Sequence, residues 1–348
     1  MKSRVIGTAL FGLGVLALVF AGGLAFVVAP TAKQLPYDMA MTQSVAEAPN
    51  ARFMQVKEGA VTVESGDLRS TITVQVDPDK TAKLDGDLDG SALVWVGGQQ
   101  VQRTDNAELV QAYSTSLAVD RKSGAAQTWA DQWLDTGGQR EGVNYEGQVY
   151  KFPFGTTQDG EYKIFDRDIL EARPVQFVKT EDIQGLETLQ FTQSLTDETQ
   201  KLPADRIGLL LGQLIPGATT GRVNYSNTRT VWVEPTTGQY IRVQEQQKKQ
   251  LVSDDGRSID ILDATFVYTE DTVTKAVESA RSNRLLLNAA GLWGPIGLGV
   301  LGVLLAVIGG IMVTRSGSGP APATAPAQWT GGGRHAAKDD DETAEVKS

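Results

Sequence analysis

Two stretches of this chain run for 25 residues without a charge, Val5–Ala29 and Ala289–Val313. At 1.5 Å per residue such a helix is about 37 Å long, enough to cross a hydrocarbon layer with some tilt. Lipid offers the backbone no hydrogen-bond partners, so each stretch is predicted to be a transmembrane helix. Pro295, the one strong breaker in the second run, lies near its end. The first run exceeds the roughly 7–15 apolar residues of a signal peptide, and Pro30 follows the best cleavage position, Val27-Val28-Ala29. It reads as a retained anchor.

Basic residues near the helix ends set orientation. Lys2 and Arg4 precede the first run and only Lys33 follows it closely, which favours an inside N-terminus. Two spans then return the C-terminus inside, although Arg281 and Arg284 outnumber Arg315 around the second. The expected layout is a cytoplasmic stub (1–4), a helix (5–29), an extracellular domain (30–288), a helix (289–313) and a disordered cytoplasmic tail (314–348). The tail is rich in Gly, Pro, Ala and Ser and turns acidic at Asp339–Glu342, so it reads as a solvated spacer.

The net charge of −10 argues against nucleic-acid binding. The chain has no cysteine, and its one histidine, His335, lies in the tail. Disulfides, thiol nucleophiles and a Ser-His-Asp triad inside the fold are excluded.

Between the spans the pattern is β-rich. Ala60–Val76 reads as a hairpin turning at Ser65-Gly66-Asp67. Tyr150, Phe152 and Phe154 read as one face of a strand that turns at Gln158-Asp159-Gly160 towards Tyr162 and Ile164. Leu186–Leu195 is another strand. Val223–Glu234, Gln239–Val252 and Ser258–Tyr268 form a meander joined by short turns, which should pair antiparallel. Ile207, Leu210, Leu211 and Leu214 keep helical spacing before Pro216-Gly217. Thr269 is a candidate N-cap for a helix from about Glu270 into the second span. The fold class is therefore a membrane-anchored α+β protein, with a β-rich antiparallel extracellular domain between two transmembrane helices. Small residues at Ala17, Ala21, Ala25 and Ala29, and at Gly302, Ala306 and Gly310, offer faces for helix pairing within or between chains.

Candidate chemistry is sparse. Asp85-Gly86-Asp87-Leu88-Asp89-Gly90 imitates a calcium loop, but Val96 stands where the bidentate glutamate belongs. Asp166 with Asp168, or Glu181 with Asp182, pair carboxylates without a spacing that singles out an acid and a base. Trp129, Trp133 and the Tyr150 face read as core. Ile207–Ile215 reads as core with a lipid groove as the alternative. The expectation is no enzyme and no catalytic, cofactor-binding or metal residue.

Several phrases resemble the actinobacterial PorA porin family: Leu35-Pro36 beyond the first span, Val119-Asp120-Arg121-Lys122-Ser123-Gly124, Tyr150-Lys151-Phe152-Pro153-Phe154, Gly185-Leu186, and above all Thr230-Val231-Trp232-Val233-Glu234-Pro235-Thr236-Thr237-Gly238. The resemblance covers nearly the whole chain except the tail and implies an actinobacterial envelope protein, with pore formation as the activity its name suggests. The residues themselves offer a pore little, since two wholly apolar helices have no wet lining. They favour a non-enzymatic plasma-membrane protein that binds or scaffolds in envelope assembly, handling a lipid or lipoglycan. Other envelope proteins, or a second copy met through the small-residue faces, are expected partners. A pore is the alternative, and an envelope hydrolase the third.

Overall fold

The computed structural model describes residues 2–315; the expected tail beyond Arg315, with His335, lies outside the described residues. Packing divides the described residues into two units, one within 1–16 and 301–315 and the other over 17–300.

The first unit, over its described residues, is the crossing of parts of two apolar helices, residues up to 16 of α1 (Lys2–Gly23) and from 301 of the last helix (Gly294–Arg315). Backbone meets backbone there. A Cβ added to Gly14 would lie 2.7 Å from the Gly302 carbonyl oxygen, and one on Gly309 would lie 2.6 Å from the Gly7 carbonyl oxygen. Only glycine permits this approach, and in lipid close packing is what holds helices together. Gly302 and Ala306 are at the crossing as expected, whereas a Cβ at Gly310 would meet open space. Their counterparts in α1 are Gly7 and Gly14, and of the alanine face Ala21 is buried as well. The buried residues Gly7, Gly14 and Ala21 repeat every seven positions, the period of a helical seam, and a four-residue ladder meets it only at Ala21.

The second unit holds fourteen strands: β1 (Thr42–Lys57), β2 (Ala60–Val76), β3 (Ala92–Arg103), β4 (Leu109–Asp120), β5 (Ala126–Gln127), β6 (Trp133–Asp135), β7 (Arg140–Gly142), β8 (Lys163–Asp166), β9 (Glu171–Pro174), β10 (Gln176–Ile183), β11 (Leu186–Thr199), β12 (Gly221–Val233), β13 (Tyr240–Ser253) and β14 (Ser258–Tyr268). Twelve of them form one sheet in the order β10-β11-β12-β13-β14-β1-β2-β3-β4-β6-β7, with β5 also on β4; β8 and β9 pair separately. Every ladder is antiparallel. The first and last long strands are neighbours, so the helices before β1 and after β14 leave from adjacent positions. A twisted sheet of this size curls, and inward side chains of strands from both halves line one interior.

The meander β12–β14 and the strand at Leu186 appear as expected. Two other expectations fail. Ala60–Val76 is one 17-residue strand, with Gly66 mid-strand where β1 bulges between Ala48 and Ala51. Tyr150–Phe154 is irregular rather than a strand. Phe152 packs among Tyr162, Phe191 and Tyr240, and its N–H donates to the Gly238 carbonyl at 2.8 Å.

Helix α2 (Ala204–Leu214) seals one end of the interior. Leu210 and Leu211 pack on Val61, Val223, Leu251 and Ile261. Helix α3 (Glu270–Asn288) starts at the expected cap, where the Thr269 hydroxyl accepts from Thr272 N–H at 3.3 Å. The Thr272 hydroxyl ties α3 to β1, accepting from Val45 N–H at 3.0 Å and donating to its carbonyl at 3.1 Å. Beyond α3 the backbone stays helical through α4 (Gly294–Arg315). Five-residue π-helical stretches at Leu24–Val28 and Ala289–Trp293 precede Pro30 and Pro295 by two residues. Proline removes a donor and crowds the carbonyl four residues back, and the wider turn relieves both. Phe26, Val27 and Trp293 are more than half exposed, as lipid-facing side chains are.

Candidate functional site: an apolar cavity closed by a charged tier

The interior contains a cavity of about 1190 Å³. Its wall is mainly apolar, with Ile72, Val74, Trp95, Val149, Val243 and Phe266. Its rim includes Thr31 and Ala32 at the end of the first helical run, and Leu286, Leu287 and Ala290 where α3 leads into the second. None of the residues packed under α2 reaches it.

What separates cavity from packed end is a row of polar side chains set by strand register. Gln193 of β11 pairs with Arg229 of β12, which pairs with Glu245 of β13. On the same face follow Asn227 with Gln247 and Tyr225 with Lys249, between apolar pairs Val231–Val243 and Val223–Leu251. Inward strand faces are normally apolar throughout, so this tier interrupts the pattern.

The segment Asp166–Asp168, after β8, supplies its complement. Arg229 donates to Glu245, to Gln193 Oε1 at 3.1 Å and to Asp166 Oδ2 at 3.3 Å. The Tyr225 hydroxyl donates to Asp166 Oδ2 at 2.9 Å. Lys249 Nζ and Gln200 Nε2 both donate to Asp168 Oδ1 at 2.6 Å. Burial alone would raise the Asp168 carboxyl, but Lys249 and Arg167 hold it below its ordinary value. Burial opposes the Glu245 charge too, and Arg229 outweighs it. For Arg167, burial opposes the charge while Tyr113, Asp168 and Glu245 favour it, and the guanidinium stays protonated. Its Nη1 reaches across the interior to Gln99 Oε1 at 2.7 Å, and Gln99 Nε2 donates to the Ser70 hydroxyl at 2.5 Å. The tier thus joins both halves of the sheet.

At the rim, Lys151 is nine-tenths buried, donates to the Phe152 carbonyl at 2.7 Å and lies 3.7 Å from the Phe154 ring centroid. Burial pushes its ammonium down to about 7. Two of the family-like phrases build turns here. The Glu234 carboxylate accepts from Thr236 N–H at 3.1 Å and from the Thr237 N–H and hydroxyl at 2.7 Å. Gly238 follows at φ +71°, with no room for a Cβ against the Phe152 and Pro153 carbonyls. The Asp120 carboxylate binds Lys122 N–H at 3.1 Å and Ser123 N–H at 2.6 Å, and Arg121 Nε holds the Leu35 carbonyl at 2.8 Å.

Of the residues singled out by sequence, Asp166 and Asp168 belong to the tier, and Tyr150 and Phe154 line the cavity. Glu181 instead accepts from the Trp232 indole at 2.8 Å, and Asp182 caps the turn at Gly185. Trp129 packs with Leu84, Ala92 and Val94, and Ile207, Leu210, Leu211, Leu214 and Ile215 belong to the core on the inner face of α2 while Leu209 is exposed. Asp85–Gly90 is a short 3₁₀ turn ahead of β3. Arg167, Arg229, Glu245 and Lys249 went unread. The signal available was a strand face running apolar, polar, apolar from Val223 to Val233.

The sequence model of the family described as Porin PorA matches residues 6–311. A protein named Porin PorA from Corynebacterium resistens is 23% identical over 219 residues, 56% of this chain and 53% of that protein. The chain therefore spans about half the length of that relative. A solved MaoC domain dehydratase from Chloroflexus aurantiacus aligns over 77% of this chain and 90% of its own at 10% identity, with a TM-score of 0.14. With two long apolar helices and a large antiparallel sheet between them, the chain is a membrane protein of the cell envelope and belongs to the PorA family.

Proposed function

We propose that this is a two-pass, non-enzymatic protein of the plasma membrane, with both termini inside, whose outer domain binds a lipid or lipoglycan during envelope assembly. The carrying observation is the cavity of about 1190 Å³, walled by apolar side chains and rimmed by residues of both apolar helical runs. Ligand pockets are typically about 300–1,000 Å³ and largely apolar, so this volume suits a long aliphatic ligand. The rim offers it a route from the bilayer. The tier supports the non-enzymatic reading. Asp166 and Asp168 are engaged in ion pairs, and Asp168 is held ionised, whereas a general acid needs a raised pKa.

Lipid extraction from the full chain, purified in mild detergent, tests the proposal by mass spectrometry. Bound lipid is expected in the wild type and several-fold less in Ile72→Trp, which fills the cavity, with thermal stability retained. Repeated recovery without lipid would remove the reading.

Pore formation is the second reading, and it rests on the name shared by the family and its Corynebacterium member. Stepwise conductance from the pure protein in planar bilayers would establish it.

A further inference from the structure

Arg167 differs from every other cation of the tier. Arg229 has Asp166 and Glu245, and Lys249 has Asp168. Arg167 has no carboxylate within 4.0 Å among the described residues; its direct partners are Gln99 Oε1 and the Tyr113 ring, whose centroid is 3.8 Å away. A guanidinium carries five N–H donors in a planar fork, and here the contacts engage one nitrogen and one face. The residue lines the cavity. Further buried groups able to donate line the same space without a hydrogen-bond partner, among them the Trp95 indole N–H and the Tyr240 hydroxyl. Burial raises the Tyr240 pKa, which keeps that hydroxyl protonated as a donor. The wall therefore has donors to spare, and buried polar groups are normally paired. What would satisfy them is an acceptor-rich group with negative charge, the kind of group that takes the strongest hydrogen bonds from arginine.

We infer that the cavity selects amphiphiles bearing a single oxyanion head, carboxylate or phosphate, which the free edge of Arg167 binds while the aliphatic chain runs towards the apolar rim at Leu286, Leu287 and Ala290. The inference rests on the lipid-binding reading above and adds the class of head group and its orientation, head inward and chain outward. A lipid leaving a bilayer through this rim would enter head first with its chain trailing. Gln99 is a positioning residue: its amide oxygen holds Nη1, and Ser70 fixes the amide in turn.

The test is displacement of a neutral fluorescent alkyl probe from the full chain in lauryl maltoside by oleic acid, oleyl phosphate or oleyl alcohol. The wild type is expected to bind at least one acid about tenfold or more tighter than the alcohol, the scale of one charge-assisted hydrogen bond. The stronger acid distinguishes a carboxylate from a phosphate source. Arg167→Gln should lower acid binding to the level of the alcohol and leave the alcohol within about twofold of wild type. Arg167→Lys should keep part of the preference. Equal binding of all three by the wild type, or an undiminished preference in Arg167→Gln, overturns the inference while leaving lipid binding intact. Binding of none overturns both. If Arg167→Gln does not fold, the wild-type comparison of acid with alcohol decides by itself.

Discussion

The two sides of the charged tier are built from the same strands and end differently. On one side, Val223 and Leu251 lie under Leu210 and Leu211 of α2, and the interior is packed. On the other, Val231 and Val243 continue the alternation, yet the cavity opens beside them. Strand pattern is therefore not what decides between core and cavity. What differs is the covering element: α2 inserts leucines at one end, whereas the helices beside the cavity at the other, at Thr31, Ala32, Leu286, Leu287 and Ala290, leave it open. The tier lets both exist, because its ion pairs and hydrogen bonds hold the two halves of the sheet together where no apolar filling does.

Several measurements can break or sharpen this contrast. The largest effect is expected from Asp168→Leu, which strands the buried Lys249 ammonium beside it. Loss of one partner of a buried pair costs about 3–5 kcal/mol, and urea unfolding should show it. Charge-neutral removal of both partners, in Asp168→Leu with Lys249→Met, should recover most of that loss; a double variant no better than the single one would contradict the pairing.

Next, Leu211→Ala at the packed end should cost about 2–5 kcal/mol by opening a void among Val223, Leu251 and Ile261. Val243→Ala at the cavity wall should cost only about 1 kcal/mol, since its side chain already borders open space. Equal losses at the two positions would mean that the open side is packed in solution.

The most gradual effects are slopes with pH, and they run in one direction through two windows. Asp168 and Glu245 have folded values below their ordinary ones. Their stabilisation is fully present above the unfolded values and is lost as pH falls below about 4. Lys151 is depressed to about 7, so the unfolded chain binds a proton there that the folded chain does not. Stability should therefore rise with pH between about 7 and 10, the unfolded lysine value. The urea midpoint should climb over that range in the wild type and stay flat in Lys151→Met.

Much of the architecture was legible because it rests on strong local signals. The uncharged runs are visible by length alone, and Thr236-Thr237-Gly238 and Asp254-Asp255-Gly256 punctuate the final meander. Ser65-Gly66-Asp67 carries the same turn chemistry and misleads, since β1 supplies a partner for the whole of β2 and tertiary pairing overrides the local preference. Tyr150, Phe152 and Phe154 alternate like a strand, but Gly238 and the rings around Phe152 claim the segment for the interior instead. The tier was illegible for a different reason. Asn227, Arg229, Glu245, Gln247 and Lys249 look like the solvent face of two strands, and only register shows that they face inward. Arg167 carries no local signal at all, because its role comes from partners at Gln99 and Tyr113 far off in sequence.

The most direct test of an amphiphile-binding interior is photolabelling of the full chain in membranes with a diazirine-bearing fatty acid, followed by peptide mapping. Adducts on cavity-wall strands, at residues such as Ile72 of β2 and Val243 of β13, are the predicted result. Adducts confined to the parts of the apolar helices that do not line the cavity, within 3–30 and 291–315, would contradict it.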